Sequence, residues 1–336
     1  MSRVVNICGH KYQTIEMNWT KIIYTTIQAF LDLGFDVRIS PYLKLEDKTW
    51  DHLSRDIDDN PENVFVYNHS WVSELQRKNL YRGKKTIFLK PTGPTKDHFT
   101  LDTKGYAACS DITYKKPNFK KVSSDRFFSS EVSSIIKNKQ NKWSGVKSRE
   151  NLNFNEKALD IPDQHILVVC QMEGDETVKD MSFGSHLSKV KCIVNTLIES
   201  KIKFPIVVKF PPWYKDKGGN PESSIVSYWK SKGVRVFEGR ENIHDFLPKS
   251  RVAIIENSTA GLECMMHDVP IISYGLPEYH WITKDLRHLT NLISSINDLG
   301  WFIKSDSRRW LTWYCKRYQC YDLKSTKRRI QKILDQ

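Results

Sequence analysis

Apolar and polar positions along the chain fall into two series of short apolar runs that alternate with amphipathic stretches. "RVVNIC" reads as a buried strand. Residues 17–33 then carry Ile22, Ile23, Ile27, Phe30 and Leu31 at helical spacing. Gly34 stops that helix, and "FDVRIS" follows as a second strand, which makes one βαβ unit with a right-handed crossover. "NVFVYN" and "KTIFLK" are predicted as further strands, separated by a helix over "WVSELQRKN". From 91 to 160 the pattern loosens into loops, two Lys-rich patches (115–121 and 137–149) and a linker or surface helix.

A second series starts at "HILVVCQ". After the polar loop "GDETVKDMSFGS" come helix "HLSKVKCIVNTLIES", strand "FPIVVKF", helix "SSIVSYWKSKG" and strand "VRVFEG". Helix "IHDFLPKS", strand "VAIIEN", helix "TAGLECMMH" and strand "PIISYG" complete it. Such alternation with short connections implies an open parallel sheet with helices on both faces. The fold class is therefore α/β: two Rossmann-like domains, at 1–155 and 156–300. A basic, aromatic helical tail at 301–336 is expected to pack back toward the first domain through Trp301, Trp310, Trp313 and Tyr314.

Composition adjusts this picture in a few places. A chain of 336 residues with 39% hydrophobic and 12% aromatic content has enough apolar material for two cores. The net charge of +13 suits a polyanionic partner or a plain basic surface. Seven scattered cysteines lack zinc spacing, and Cys170 and Cys264 sit in apolar runs as small core residues, so a reducing, cytoplasmic setting fits. The first residues read as a strand and not a signal peptide, and no apolar run reaches the ~20 residues of a membrane span. Sequons at Asn18, Asn68 and Asn257 read as chance. "YKKPNFKK" interleaves aromatic and basic residues as single-stranded nucleic-acid grooves do, but its charges lie in loops with no recognition fold around them, so nucleic acid is not expected.

The chemistry concentrates where strands of the second series end. In open parallel sheets, ligands bind beyond the carboxyl ends of the strands. "IIENSTAGLE" ends a strand in small residues: Ser258 and Thr259 can cap the next helix, an anion can approach the backbone N–H groups around 258–260, and Glu263 lies one turn inside. An ordinary capped helix reads the same way.

"GRENIHDFLPKSRVAIIENSTAGLECMMHDVPIISYG" resembles the nucleotide-sugar half of two-domain (GT-B) glycosyltransferases, above all the capsular polysaccharide synthesis proteins that include Kdo transferases. Asn257, Ser258, Thr259, Gly261, Leu262 and Glu263 match that family's turn, with Cys264 in place of an alanine. "LVVCQMEGDETV" matches its strand ending in Gln and a Gly-Asp loop through Gln171, Gly174 and Asp175. "IVVKFPP" matches its Lys-Pro-His-Pro through Lys209 and Pro212. The resemblance spans 165–280. It implies transfer of a sugar from a nucleotide-sugar donor to a glycan acceptor, with Gln171, Gly174, Lys209, Asn257, Ser258, Thr259, Gly261 and Glu263 on the donor side.

Pro211 stands where the family has a histidine, which leaves the donor open among CMP-, UDP-, GDP- and TDP-linked sugars. "GPTKDHFTLDTKGY" resembles a first-domain segment of the family, but Lys90, Pro91 and Thr92 stand where its acidic residue is expected.

An enzyme without a metal can hold the leaving phosphate with Lys209 and helix N–H groups, and no Asp-x-Asp ends a strand, so neither a metal nor another cofactor is expected. The candidates for a base at the acceptor hydroxyl are His10, Glu16, Asp97, His98, Glu173 and Asp175. An anionic membrane surface is compatible with the charge. Two other readings remain at this point: a nucleotide-sugar 2-epimerase, which shares the turn but opens on a different loop from "CGHKYQT", and a binding protein without turnover.

Overall fold

A computed structural model describes residues 3–10, 20–42, 63–68, 85–141, 159–179, 181–182, 184–211, 223–238, 241–286 and 289–335. The helix expected at "WVSELQRKN", the Asp-rich stretch at 56–60, Glu16 and Pro212 lie outside these residues. The chain forms two compact units: Met1–Tyr114 with Asn141–Glu150 and Trp313–Gln336, and Lys115–Gln140 with Asn151–Thr312.

The first unit holds a five-stranded sheet of β1 (Arg3–His10), β2 (Phe35–Tyr42), β3 (Val64–Asn68), β4 (Lys85–Pro91) and β5 (Phe99–Asp102). The order is β2-β1-β3-β4-β5, parallel except for β5 against β4. Helix α1 (Thr20–Asp32) makes the first crossover and ends at Gly34, whose φ of 79° is the left-handed turn that glycine adopts without a Cβ penalty. Ile22, Ile23, Ala29 and Phe30 form its buried stripe. Leu31, expected on that stripe, is 48% exposed, because one residue past Phe30 the helix has turned ~100° away from the sheet.

Sequence periodicity missed β5, a four-residue strand within the segment read as loop. The edge of β5 is closed by the tail, since Phe99 and Cys320 exchange both backbone hydrogen bonds (2.9 and 2.8 Å). The last helix (Leu323–Leu334) carries Ile330 and Ile333 into the core beneath β1 and β3, and Arg329 donates to the Leu101 carbonyl at 2.7 Å. Tyr314 in the first unit and Trp310 in the second are fully buried, while Trp301 and Trp313 are half-buried.

The second unit holds a six-stranded, wholly parallel sheet: β6 (His165–Val169), β7 (Ile206–Lys209), β8 (Arg235–Phe237), β9 (Ser250–Ile255), β10 (Ile271–Ser273) and β11 (Lys284–Asp285). Its order is β11-β10-β9-β6-β7-β8. β6 and β7 are buried along their whole length, as a sheet covered on both faces requires. The helix His186–Glu199 contributes Val190, Ile193, Val194 and Leu197 to a core with Ile166, Val168, Val208, Val252 and Ile254. Cys170 and Cys264 are core residues, 4% and 0% exposed. Both units are thus Rossmann-like. Among the described residues, no helix is long and apolar enough to cross a membrane.

Candidate functional site

The order of the second sheet runs outward in both directions from β6 and β9, so successive crossovers leave on opposite sides and the strand ends part between these two. The residues just beyond them are Gln171 and Asn257. The Gln171 side-chain oxygen accepts the Asn257 backbone N–H at 2.9 Å, and its amide nitrogen donates to the Thr177 hydroxyl at 3.2 Å. Asn257 in turn donates its side-chain amide to the Thr177 carbonyl at 2.9 Å and accepts the Leu276 N–H at 2.7 Å. Three loops are thereby fastened at one point. A Cβ at Gly275 would stand 2.3 Å from the Asn257 side-chain oxygen, so that fastening needs a glycine. Asn257 is only 5% exposed, in keeping with a sequon that carries no glycan.

Glu173 and Asp175, both candidate bases, lie on the loop between β6 and the next helices. Glu173 receives the Leu187 N–H at 2.6 Å, the Ser185 hydroxyl at 2.7 Å and the His186 N–H at 3.2 Å. Burial pushes its carboxyl up, but these three donors outweigh burial and hold it below the usual carboxylate range. Asp175 accepts the Thr177 N–H and hydroxyl at 2.9 and 2.6 Å and so caps the short helix Glu176–Lys179. Gly174 between them faces open space.

Beneath this loop lies a buried charge network that sequence reasoning missed. Glu256, fully buried at the end of β9, accepts from Lys189, His186 and Ser182. Burial pushes its carboxyl up, and these donors outweigh it to hold the group below the usual range. The Gln171 backbone N–H donates to Nε2 of His186 at 2.8 Å, so that nitrogen carries no proton and Nδ1 is the one that donates to Glu256. The available signal was an acid ending an apolar strand immediately before Asn257.

The 257–261 turn folds onto itself. Ser258 accepts the Ala260 N–H through its hydroxyl at 3.2 Å and the Gly261 N–H through its carbonyl at 3.2 Å, and the Leu262 N–H reaches the Thr259 carbonyl at 2.9 Å. Ser258, Thr259 and Ala260 remain half-exposed. A Cβ at Gly261 would lie 2.2 Å from the Tyr279 ring, whose hydroxyl donates to the Ser258 carbonyl. Glu263, 5% exposed, lies inside the helix Ala260–Met266.

Lys209 ends β7, one strand over. It is buried, its ammonium reaches the Phe210 carbonyl at 3.3 Å, and the Glu241 carboxylate stands 3.9 Å away. Burial pushes Lys209 down to about 8 against the pull of Glu241. Pro211, half-buried, follows two residues later.

In the first unit, the backbone of His10 ends β1, the strand from which that sheet's order also diverges. Asp97 forms an exposed ion pair with Lys21 at 2.9 Å. The His98 ring meets the Thr95 hydroxyl at 2.8 Å, and burial, together with the Lys316 charge, pushes it down to about 4, far below a base suited to neutral pH. Asp102, not singled out from sequence, is fully buried. It accepts the N–H groups of Lys104, Gly105 and Asp111 and the Tyr318 hydroxyl, and burial and Asp111 push it up to about 6.

Two Rossmann-like units in one chain, with the Gln171 and Asn257–Gly261 turns at the carboxyl ends of the second sheet, make a GT-B-type fold. The solved structures similar to the chain include two Kdo transferase structures. The Thermosulfurimonas dismutans KpsC beta Kdo 2,7 transferase is 13% identical with a TM-score of 0.54, over 98% of this chain and all of that one. The beta Kdo 2,4 transferase of the same organism's KpsC is 14% identical with a TM-score of 0.55, over 96% and 92%. At such identities the likeness shows the fold. No curated protein matches the sequence. The model of the capsule polysaccharide biosynthesis proteins matches residues 100–291, more than half of the chain, and the chain belongs to that family.

Proposed function

We propose that the protein is a glycosyltransferase, moving a sugar from a nucleotide-sugar donor to a glycan acceptor in polysaccharide synthesis. The observation that carries this reading is the meeting of Gln171 and the Asn257–Gly261 turn beyond β6 and β9, where an open parallel sheet presents its ligand site. Membership of the capsule polysaccharide family supports a glycan product.

In this proposal the half-exposed Ser258–Thr259 turn faces the phosphates, the Gln171–Asn257–Thr177 knot holds the loops around them, and Glu263 lies on the ribose side. The donor's leaving phosphate is stabilised without a metal. The acceptor lies with the first unit, where His10, at the carboxyl end of β1, is the base candidate best placed by the topology.

The test is turnover by the full chain with CMP-, UDP-, GDP- and TDP-sugars, with and without capsular oligosaccharides. Nucleotide release that requires the acceptor and lengthens it supports transfer. Conversion of a nucleotide sugar with no acceptor present would make the protein an isomerase, and binding without turnover for every pair would make it a binding protein.

A further inference from the structure

We infer that Glu241 and Lys209 form a dyad that binds a sugar hydroxyl of the donor, and that Lys209 therefore does not serve as a phosphate clamp. The inference rests on the donor reading above and deepens it. Glu241 falls within the segment that resembles the family but is not one of its matched residues.

The two side chains are 11% and 5% exposed, yet their charged atoms stand 3.9 Å apart, beyond hydrogen-bond distance. Oε2 of Glu241 is buried and has no hydrogen-bond partner among the described residues. The Lys209 ammonium has three N–H donors; among the described residues it reaches the Phe210 carbonyl at 3.3 Å and lies over the Phe246 ring, 5.5 Å from its centroid. A buried ion pair normally closes to satisfy both partners, because unmade hydrogen bonds are costly there. This one is held open, and the Glu241 oxygen is left without a donor among the described residues.

The dyad also sits beside the candidate site. Lys209 lies in register with Val169, and its carbonyl accepts the Cys170 N–H at 2.9 Å, immediately before Gln171.

Charge decides which group can complete the pair. A phosphate next to Lys209 would also confront the Glu241 carboxylate and the charge of Asp245, which acts on Lys209. A cation would confront Lys209 itself and Lys139, which is paired with Asp245. A hydroxyl meets neither obstacle: it donates to Oε2 of Glu241 and accepts from Nζ of Lys209. Both the ribose and the transferred sugar offer such a group.

The experiment is a cycle between side chain and ligand hydroxyl, read by calorimetry on the full chain. Wild type and Glu241→Gln are titrated with the bare nucleotide that binds, its 2′-deoxy form, the matching nucleotide sugar and deoxy forms of that sugar. We expect Glu241→Gln to weaken the hydroxylated ligand by about 10- to 100-fold and its deoxy partner less than about 2-fold. The ribose pair or the sugar pair that shows this difference names the hydroxyl. Should Glu241→Gln fail to fold, Glu241→Asp, which withdraws the carboxylate by one methylene, reads the same cycle.

Equal weakening of both members of every pair would overturn the dyad, and so would tighter nucleotide binding by Glu241→Gln, which would mean that the carboxylate faces phosphate. Failure of the wild type to bind any nucleotide or nucleotide sugar would overturn the donor reading itself, and the dyad with it.

Discussion

The side-chain oxygen of Gln171 accepts the backbone N–H of Asn257 at 2.9 Å, joining the ends of β6 and β9 across 86 positions of sequence. The strands themselves are paired through Val169 and Ile255, and this bond carries the link beyond the sheet into the two loops. Gln171→Ala leaves the Asn257 N–H without its acceptor and takes a donor from the Thr177 hydroxyl, which keeps its bond to Asp175. The expected cost is about 1–3 kcal/mol of stability in urea unfolding, together with loss of nucleotide binding. Unchanged binding in a destabilised variant would mean that the knot serves the fold alone.

Gly261→Ala places a methyl group 2.2 Å from the Tyr279 ring. Overpacking of this kind costs about 1–3 kcal/mol. Replacing Tyr279 with leucine in the same chain should recover much of it, so the two changes should be non-additive in a double-mutant cycle. Additive losses would show that the ring is not the obstacle.

Lys209 makes stability depend on alkaline pH. Its ammonium is held at about 8 in the fold and titrates near 10.5 when unfolded. Between those values the unfolded chain binds more protons, so stability rises with pH across the window as the cost of burying the charge is relieved. The rise attributable to this group is on the order of 3 kcal/mol. Unfolding measured at pH 8 and pH 10 should show it in the wild type, and Lys209→Met should lack it.

Asp102 acts in the opposite sense. Its folded value is raised to about 6 from 3.8, so its contribution is fully present below about pH 4 and is lost as pH rises through 6. Asp102→Asn, which still accepts through its side-chain oxygen, should flatten the stability profile between pH 4 and 6. A profile that keeps its slope would place the titration on another group.

The architecture was legible because its signals are local. Val, Ile and Leu runs such as "ILVV" and "VAII" mark buried parallel strands, and Gly34 marks a helix end wherever it sits. β5 and β11 were not legible, being four and two residues long and defined by their partners. The site was legible in its outline, since Gln171, Asn257 and Gly261 belong to turns with readable spacing. What those residues do was not: Gln171 and Asn257 bond to each other, and Glu173 and Asp175 cap helices. Glu256, His186 and Lys189 converge from positions up to 70 residues apart, and no spacing rule connects them.

The measurement that bears most directly on the donor site is a thermal-shift titration of wild type and Thr259→Glu with CMP, UDP, GDP, TDP and their sugars. Thr259 is the half-exposed N-cap of the helix Ala260–Met266, where an acid suits the positive helix end and should not weaken the ligand-free fold. A ligand that binds only the folded state at 100 times its Kd stabilises it by about 2.7 kcal/mol. The account predicts that one nucleotide raises the melting temperature of the wild type and leaves Thr259→Glu unmoved, because the new carboxylate repels the phosphates. Equal stabilisation of both proteins would contradict it, placing the nucleotide away from the turn between β9 and that helix.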